Sequence, residues 1–309
     1  MPWAASLSAM GKASRRKKMS PAKAAAYRPA IPFVERPFEG IRFERELVAM
    51  KELIPCGTLG AKTNKANGGV EFDFVTLLPD GVPAMVRSDG HILVGLQTRF
   101  NSGDLSHDLG GALLRAIQMA DAGEDGVVAF DVRDPAPRIQ ELLDEEFLGE
   151  AALEDPSPLE ITDNFSYWFD PDETQDAETL AALEQNSEDM VPTEEVPGAP
   201  GMYWCEMNNN FVRYVTDVPE DELFTALARV QSAGNATLGE DSKFVGAFRA
   251  CGIAIPVFQV NPALSASDLA ADGKAFQKNL EEALDADGPL TDEQRRIRSG
   301  LVSRQVTIR

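Results

Sequence analysis

Five groups of residues in this 309-residue chain have types that could do chemistry. Gly57-Thr58-Leu59-Gly60-Ala61-Lys62-Thr63 has the makeup of a loop whose amides cradle phosphate. Such a loop needs its second glycine directly before the lysine, a strand in front and a helix behind. Here Ala61 intervenes, the residues before Gly57 have helical spacing and Asn64 to Gly69 is turn-like, so a plain connecting loop is expected. The only two histidines, His91 and His107, are not spaced beside a nucleophile or a second ligand. No Gly-x-Ser-x-Gly elbow, His-Glu-x-x-His helix or Gly-x-Gly-x-x-Gly turn is present. A catalytic role needs convergent groups, so both histidines read as structural or surface residues. Asp170-Pro171-Asp172-Glu173, continued by Asp176 and Glu178, has the carboxylate density of a calcium loop. It lacks the glycine at the sixth position, and the twelfth, where the glutamate belongs, is Ala181. Acids at a helix N-terminus, facing the positive end of its dipole, explain it better. Cys56, Cys205 and Cys251 match neither a zinc site nor a redox pair, and read as reduced, buried thiols. The chain is therefore expected to carry no catalytic residues, no metal and no cofactor.

The fifth group has a chemical direction. Lys12, Arg15, Arg16, Lys17, Lys18, Lys23 and Arg28 fall within the first 34 residues, which hold no acid. Seven cations attract a polyphosphate backbone, and if all engage, log K falls against log[salt] with a slope of about -5 to -6. Tyr27 is available for base stacking, but no aromatic is interleaved among the bases. The rest of the chain has 22 bases against 50 acids, a field that repels phosphates beyond the screening length. Two uses of the leader follow: a tether to a polyanion such as ribosomal or other RNA, or a solubilising tail folded back on its own acidic body. From Ile139 to Val212 there are 20 acids and no Lys or Arg, a stretch able to grip a basic protein partner. A different class of reading is an enzyme whose carboxylates line a cleft between two halves, with Asp104 and Glu206 as candidates.

The leader has little large apolar surface to offset the entropy of ordering and is expected to be disordered. Met10-Gly11-Lys12 is as good a start as Met1. Phe43, Leu47, Met50 and Ile54 recur at helical steps until Pro55. Val70, Phe72 and Phe74 alternate with acids as in a half-buried strand. Asp89-Gly90 supplies the positive φ of a tight turn between Ala84–Arg87 and Ile92–Leu96. A helix opens around Asp104 to Ser106 with Leu109, Leu113, Ala116 and Ile117 on one face, and Val127–Phe130 follows as a strand. In the base-free stretch Phe165–Phe169 is expected to be a strand, and Asp170–Ser187 a helix anchored by Leu180 and Leu183. Met202–Glu206 and Phe211–Val215 flank an Asn-rich turn. Asp217 and Pro219 cap a helix with Leu223, Leu227 and Val230, closed by Gly234. Phe244–Phe248 is a strand, and Ile253–Val260 another, confined by Pro256 to an edge or a bulge. A long helix covers Ser267–Asp285. Thr291-Asp292-Glu293-Gln294 is a capping box for a last helix whose Arg295, Arg296 and Arg298 suit its C-terminus, before a closing strand at Val306–Ile308.

The fold expected is α+β, two similar hairpin-helix-strand halves packed as a bilobal unit. Its divisions are a basic disordered tail at 1–34, a first α+β half at 35–145, an acidic, partly structured connector at 146–200 and a second α+β half at 201–309. The 43% apolar and 26% charged composition is that of a globular protein. The bases at Arg15 to Lys18 lead into Met-Ser-Pro-Ala-Lys and not into an apolar stretch, and no apolar run is long enough for a bilayer. The chain reads as a cytoplasmic binding or adaptor protein with no membrane contact.

Several segments together resemble an actinobacterial family, domain of unknown function 5926. They are Arg36-Pro37-Phe38-Glu39-Gly40, Gly95-Leu96-Gln97 with Ser102-Gly103-Asp104, Tyr203-Trp204-Cys205-Glu206, Val245-Gly246-Ala247-Phe248-Arg249 with Ile255-Pro256-Val257, and Arg304-Gln305-Val306-Thr307. The resemblance brings no assigned activity. Some members of that family look as if they carry, ahead of the common region, a zinc motif similar to the C-terminal tail of the SecA translocase, which implies contact with ribosomes or secretion chaperones. This chain departs from that pattern: no cysteine precedes Cys56 and no Cys-x-Cys occurs. A basic leader stands in the same place, so the resemblance implies that both N-terminal pieces are tethers.

Overall fold

The computed structural model describes residues 30–150, 157–188, 190–303 and 306–307; the leader's bases, Lys12, Arg15, Arg16, Lys17, Lys18, Lys23 and Arg28, lie outside them. Helix α1, Glu44–Glu52, stands where the three-four spacing predicts it. Strand β1, Gly57–Lys62, corrects the expected loop: Leu59 and Ala61 are buried and Gly60 and Lys62 exposed, the period of two that a half-buried strand requires. Gly57 permits a close approach, since an added Cβ would lie 2.8 Å from the carbonyl oxygen of Glu160. Strands β2, Glu71–Val75, β3, Ala84–Val86, and β4, Ile92–Gly95, follow, the last two joined as the predicted hairpin with Val86 opposite Ile92. Helix α2, Leu105–Asp121, buries Leu109, Leu113 and Ala116. Strand β5, Gly126–Val127, is shorter than expected. The Val128 amide still reaches Ala84 at 2.9 Å, but the Phe130 ring packs against Gly111 of α2, and the chain leaves the sheet. After the short helix α3, Ile139–Leu142, strand β6, Leu159–Ile161, adds to β1.

Helix α4, Ala177–Glu188, is followed by β7, Thr193–Glu195, β8, Met202–Cys205, and β9, Asn210–Tyr214. Helix α5, Glu220–Ser232, precedes β10, Lys243–Ala250, and β11, Ile253–Val260. Helices α6, Ala270–Leu284, and α7, Asp292–Ser303, and strand β12, Val306–Thr307, complete the chain. The protein is thus α+β with two six-stranded sheets, ordered β5-β3-β4-β2-β1-β6 and β12-β10-β11-β9-β8-β7. Taken from the β6 and β7 edges, the two neighbour orders correspond strand for strand. They differ in polarity: β2 and β4 run parallel, β9 and β11 antiparallel. Because β10 pairs antiparallel with β11, it runs in the same sense as β9. Such a return needs a long crossover, which α5 supplies; the turn from β2 into the oppositely directed β3 needs no helix.

Several expectations are corrected by this arrangement. The base-free stretch gives β6 to one sheet and β7 to the other. Phe165–Phe169 is no strand but a 3-10 turn at Ser166–Trp168, where the Tyr167 hydroxyl and the Trp168 indole both donate to the Leu77 carbonyl at 2.9 Å. Leu183 is buried as an anchor of α4, whereas Leu180 is 54% exposed. β11 lies inside its sheet, not at an edge; its ladder with β9 starts only at Val257, so Pro256, which has no N–H, meets no partner on that side. The bulge is on the opposite strand, between Phe244 and Gly246. The side chain of Asp217 does not cap α5, whose N-cap is Pro219. The Thr291–Gln294 capping box is made in both directions, at 3.0 and 3.2 Å. Arg295, Arg296 and Arg298 stand in the body of α7 rather than its last turn, Arg295 with Asp292 and Arg298 with Asp221.

Residues 31–309 form one compact unit. One apolar cluster takes in Leu47, Val48 and Met50 of α1, Leu59, Phe72 and Phe74 of the first sheet and Tyr203, Val215, Ile253 and Ile255 of the second half. A second cluster, on the other face of the second sheet, joins Trp204, Val212 and Phe258 to Phe224, Phe276 and Leu301 of α5, α6 and α7. Helix α1 therefore belongs to a cluster that takes in residues of both sheets.

Candidate functional site

Residues 33–37 lead into the compact unit along its surface. The Val34 amide donates to the Gly103 carbonyl at 2.9 Å, just ahead of α2. Arg36 donates from Nε and Nη2 to the two carboxylate oxygens of Glu44 at 2.7 and 2.8 Å. The turn between β10 and β11, Cys251-Gly252, closes against this segment. Gly252 has φ +76°, and a Cβ there would stand 2.7 Å from the Arg36 Cβ, so both the conformation and the contact require glycine. A cleft of about 480 Å³ remains between these pieces, with Phe33, Lys51, Glu52, Leu105, Arg249 and Cys251 among its lining residues.

The charges of the cleft are matched internally. Arg249 grips Glu220 from Nε at 2.8 Å and Nη2 at 2.6 Å, and reaches Glu35 from Nη1 at 3.0 Å. The Glu220 bonds foremost hold its guanidinium above its ordinary pKa. Lys51 lies 3.3 Å from Glu52. Burial pushes Glu44 up, and the hydrogen bonds from Arg36 oppose that shift; the same bonds raise Arg36. The Cys251 thiol stands 3.9 Å from Glu52, and burial first, then that carboxylate, pushes its pKa up to about 12. It stays protonated near neutrality and is a poor nucleophile. With its cations committed to carboxylates, the cleft is suited to holding a ligand by shape and apolar contact more than to transferring protons.

Asp104 and Glu206 are not brought together as cleft carboxylates. Asp104 is buried at the N-terminus of α2, accepting from the His107 amide at 3.3 Å and lying 3.3 Å from Arg138. Glu206 is exposed beyond β8, outside the cleft lining. His107 is held at both ring nitrogens, by Asp108 at 3.0 Å and the Asp134 carbonyl at 2.9 Å, and His91 meets Asp73 at 2.9 Å. All three cysteines are free thiols, Cys56 and Cys205 buried and Cys251 half-buried. Asp176 accepts from the Thr179 amide at 2.8 Å, the helix-start role expected of that acidic run. Among the described residues no group of three or more His, Cys, Asp or Glu is placed to hold a metal ion. Sequence reasoning missed Arg36, Arg249, Glu35, Glu44 and Glu220 as a set. Their pairings span 8, 29 and 214 residues, separations that no local pattern encodes. Their one sequence signal is that Arg36 and Arg249 stand in stretches that carry the family resemblance.

Two six-stranded sheets, with a charge-matched cleft beside residues 33–37, define an α+β protein. Residues 37–309 match the family described as Family of unknown function (DUF5926), and the chain belongs to that family. No curated protein and no solved structure matches it. Among the described residues no helix is long and apolar enough to cross a membrane.

Proposed function

We propose that this chain is a cytoplasmic binding or adaptor protein, without catalysis of its own, that is tethered through Lys12, Arg15, Arg16, Lys17, Lys18, Lys23 and Arg28 to a polyanion, with ribosomal RNA as the foremost candidate. The observation that carries the reading is the segregation of charge: seven bases and no acid in residues 1–34, against 22 bases and 50 acids in the remainder. The compact unit supports it from the other side. Its arginines nearest the leader, Arg36 and Arg249, are held by Glu44, Glu220 and Glu35 and have little to offer a phosphate. The acidic remainder repels phosphates, so the leader is the segment suited to such contact. Deleting residues 1–29 removes all seven bases and leaves the Val34–Gly103 bond in place. Full-length protein is expected to co-sediment with ribosomes at low salt and to leave them as salt rises, with a slope of about -5 to -6 in log K if every cation engages. The deletion variant is expected to stay in the supernatant. Equal sedimentation of the two chains, or binding that salt does not weaken, overturns the reading.

The cleft favours a second reading, ligand binding, because it is roomy and partly apolar. As an enzyme site it would need carboxylates other than Asp104 and Glu206.

A further inference from the structure

The base-free stretch folds into a groove of about 360 Å³ between the aromatic turn and α4. Trp168, Phe169 and Leu183 give it apolar walls, and Asp176 and Glu178 give it negative charge. The indole is not a loose surface ring. Its N–H is bonded to the Leu77 carbonyl at 2.9 Å, and one face is stacked on Phe165 with centroids 4.5 Å apart and planes 7° from parallel. A ring fixed in this way is a ready platform for a cation. The carboxylates carry unneutralised charge: Asp176 caps α4 through the Thr179 amide, neither it nor Glu178 is ion-paired among the described residues, and the sequence holds no base from 139 to 212. Arg87, which donates to the Tyr167 carbonyl at 3.3 Å, is already paired with Asp89.

We propose that this groove docks a peptide segment of a partner protein in which lysine or arginine alternates with apolar residues. The cations would sit on Trp168 and against Asp176 and Glu178, and an apolar side chain would enter between Phe169 and Leu183. The charge complementarity selects a polycation, and the apolar walls select a peptide that is not purely basic. This surface is distinct from the leader and would recruit a partner of opposite charge to the leader's, so one chain could bring a polyanion and a basic protein together.

The test uses the full-length chain and a synthetic dodecapeptide alternating Lys/Arg with Leu, titrated by calorimetry beside an oligolysine peptide of equal charge. The alternating peptide is expected to bind more tightly than oligolysine. Glu178→Lys is expected to weaken it by about tenfold or more, and Trp168→Phe by a smaller factor. Glu240→Lys, an equal change of charge at an exposed site in the second half, is the control and should leave affinity nearly unchanged. If both lysine variants weaken binding equally, the peptide senses only the overall negative field and the groove is not its site. Oligolysine binding as tightly as the alternating peptide overturns the proposal, and so does no binding at all. Circular dichroism of each variant separates loss of the groove from loss of the fold, and because Glu178 is exposed its substitution decides the outcome if Trp168→Phe fails to fold.

Discussion

Helices α1 and α4 both carry a high share of carboxylates, and the structure treats them in opposite ways. Seven of the nine residues of α1 are buried, Glu44, Arg45 and Glu46 among them, whereas Leu183 is the only buried residue of α4. The difference lies in what other segments bring. Arg36 arrives from the chain's entry to hold Glu44, and Arg45 offsets Glu46 within the helix. No base lies in the sequence around α4, so burying its acids would leave unpaired charge in a low dielectric, which is prohibitive. The acids of these two helices are thus sorted by supply of cations: Glu44 and Glu46 are matched and buried, and those of α4 are unmatched and face outward.

The sharpest way to break that contrast is to remove the cation that matches Glu44. Arg36→Ala leaves Glu44 buried without its partner, and is expected to cost about 3 kcal/mol of stability, below the upper end for a fully buried pair because Arg36 keeps some solvent contact. Glu184→Ala on α4, a substitution of an exposed acid, should change stability by no more than about 0.5 kcal/mol. Urea denaturation of both variants measures the difference. Comparable losses would mean that the Arg36–Glu44 pair is no more structural than a surface charge.

What the sequence makes legible follows the same line. Local signals locate α1, α2, the Asp89-Gly90 hairpin, β8 with β9, and the Thr291–Gln294 box, because periodicity and turn chemistry act within a few residues. Phe165–Phe169 escapes them because aromatic richness is shared by strands and by packed turns, and only the Leu77 carbonyl, some ninety residues away, decides between them. Gly57–Lys62 escapes them because its two glycines look like loop punctuation, while one of them exists to admit the Glu160 carbonyl of β6. The cleft is legible only as a general idea of two halves meeting. Its charge network depends on Arg249 finding Glu35 across 214 residues, which the tertiary fold alone dictates.

A second, smaller test uses pH. Burial raises the carboxyl pKa of Glu44, Glu46 and Glu195. A carboxyl raised in the folded state keeps its proton to higher pH than in the unfolded chain. Its contribution is therefore most favourable below the ordinary value near 4.5 and is lost as pH rises through the folded value. Asp89 and Asp268 are lowered and act in the reverse sense, losing their contribution only as pH falls below about 3.8. The protein is expected to be more stable at pH 5 than at pH 7.5. Because easing the overall negative charge acts in the same direction, Glu46→Gln isolates helix α1: by removing one of the raised carboxyls it should flatten the slope between the two pH values. An unchanged slope would remove Glu46 from the account.

The smallest effect separates the two regions at their helix starts. Asp104 caps α2 from a buried position and also faces Arg138, so Asp104→Ala should cost about 1–2 kcal/mol of global stability. Asp176 caps α4 in full exposure, and the Thr179 amide is the main reason its pKa is lowered. That cap holds above the ordinary value of 3.8 and is lost as pH falls through the lowered one. Asp176→Ala should therefore fray α4 alone: amide exchange at Thr179 and Leu180 should speed up while the midpoint of global unfolding stays where it was. With only Leu183 buried, α4 can open without disturbing the sheets, whereas seven of the nine residues of α1 are packed into the core. A global loss on Asp176→Ala as large as that on Asp104→Ala would place α4 within the same cooperative unit as α1, and the outward-facing acids would then need a structural explanation in place of a partner.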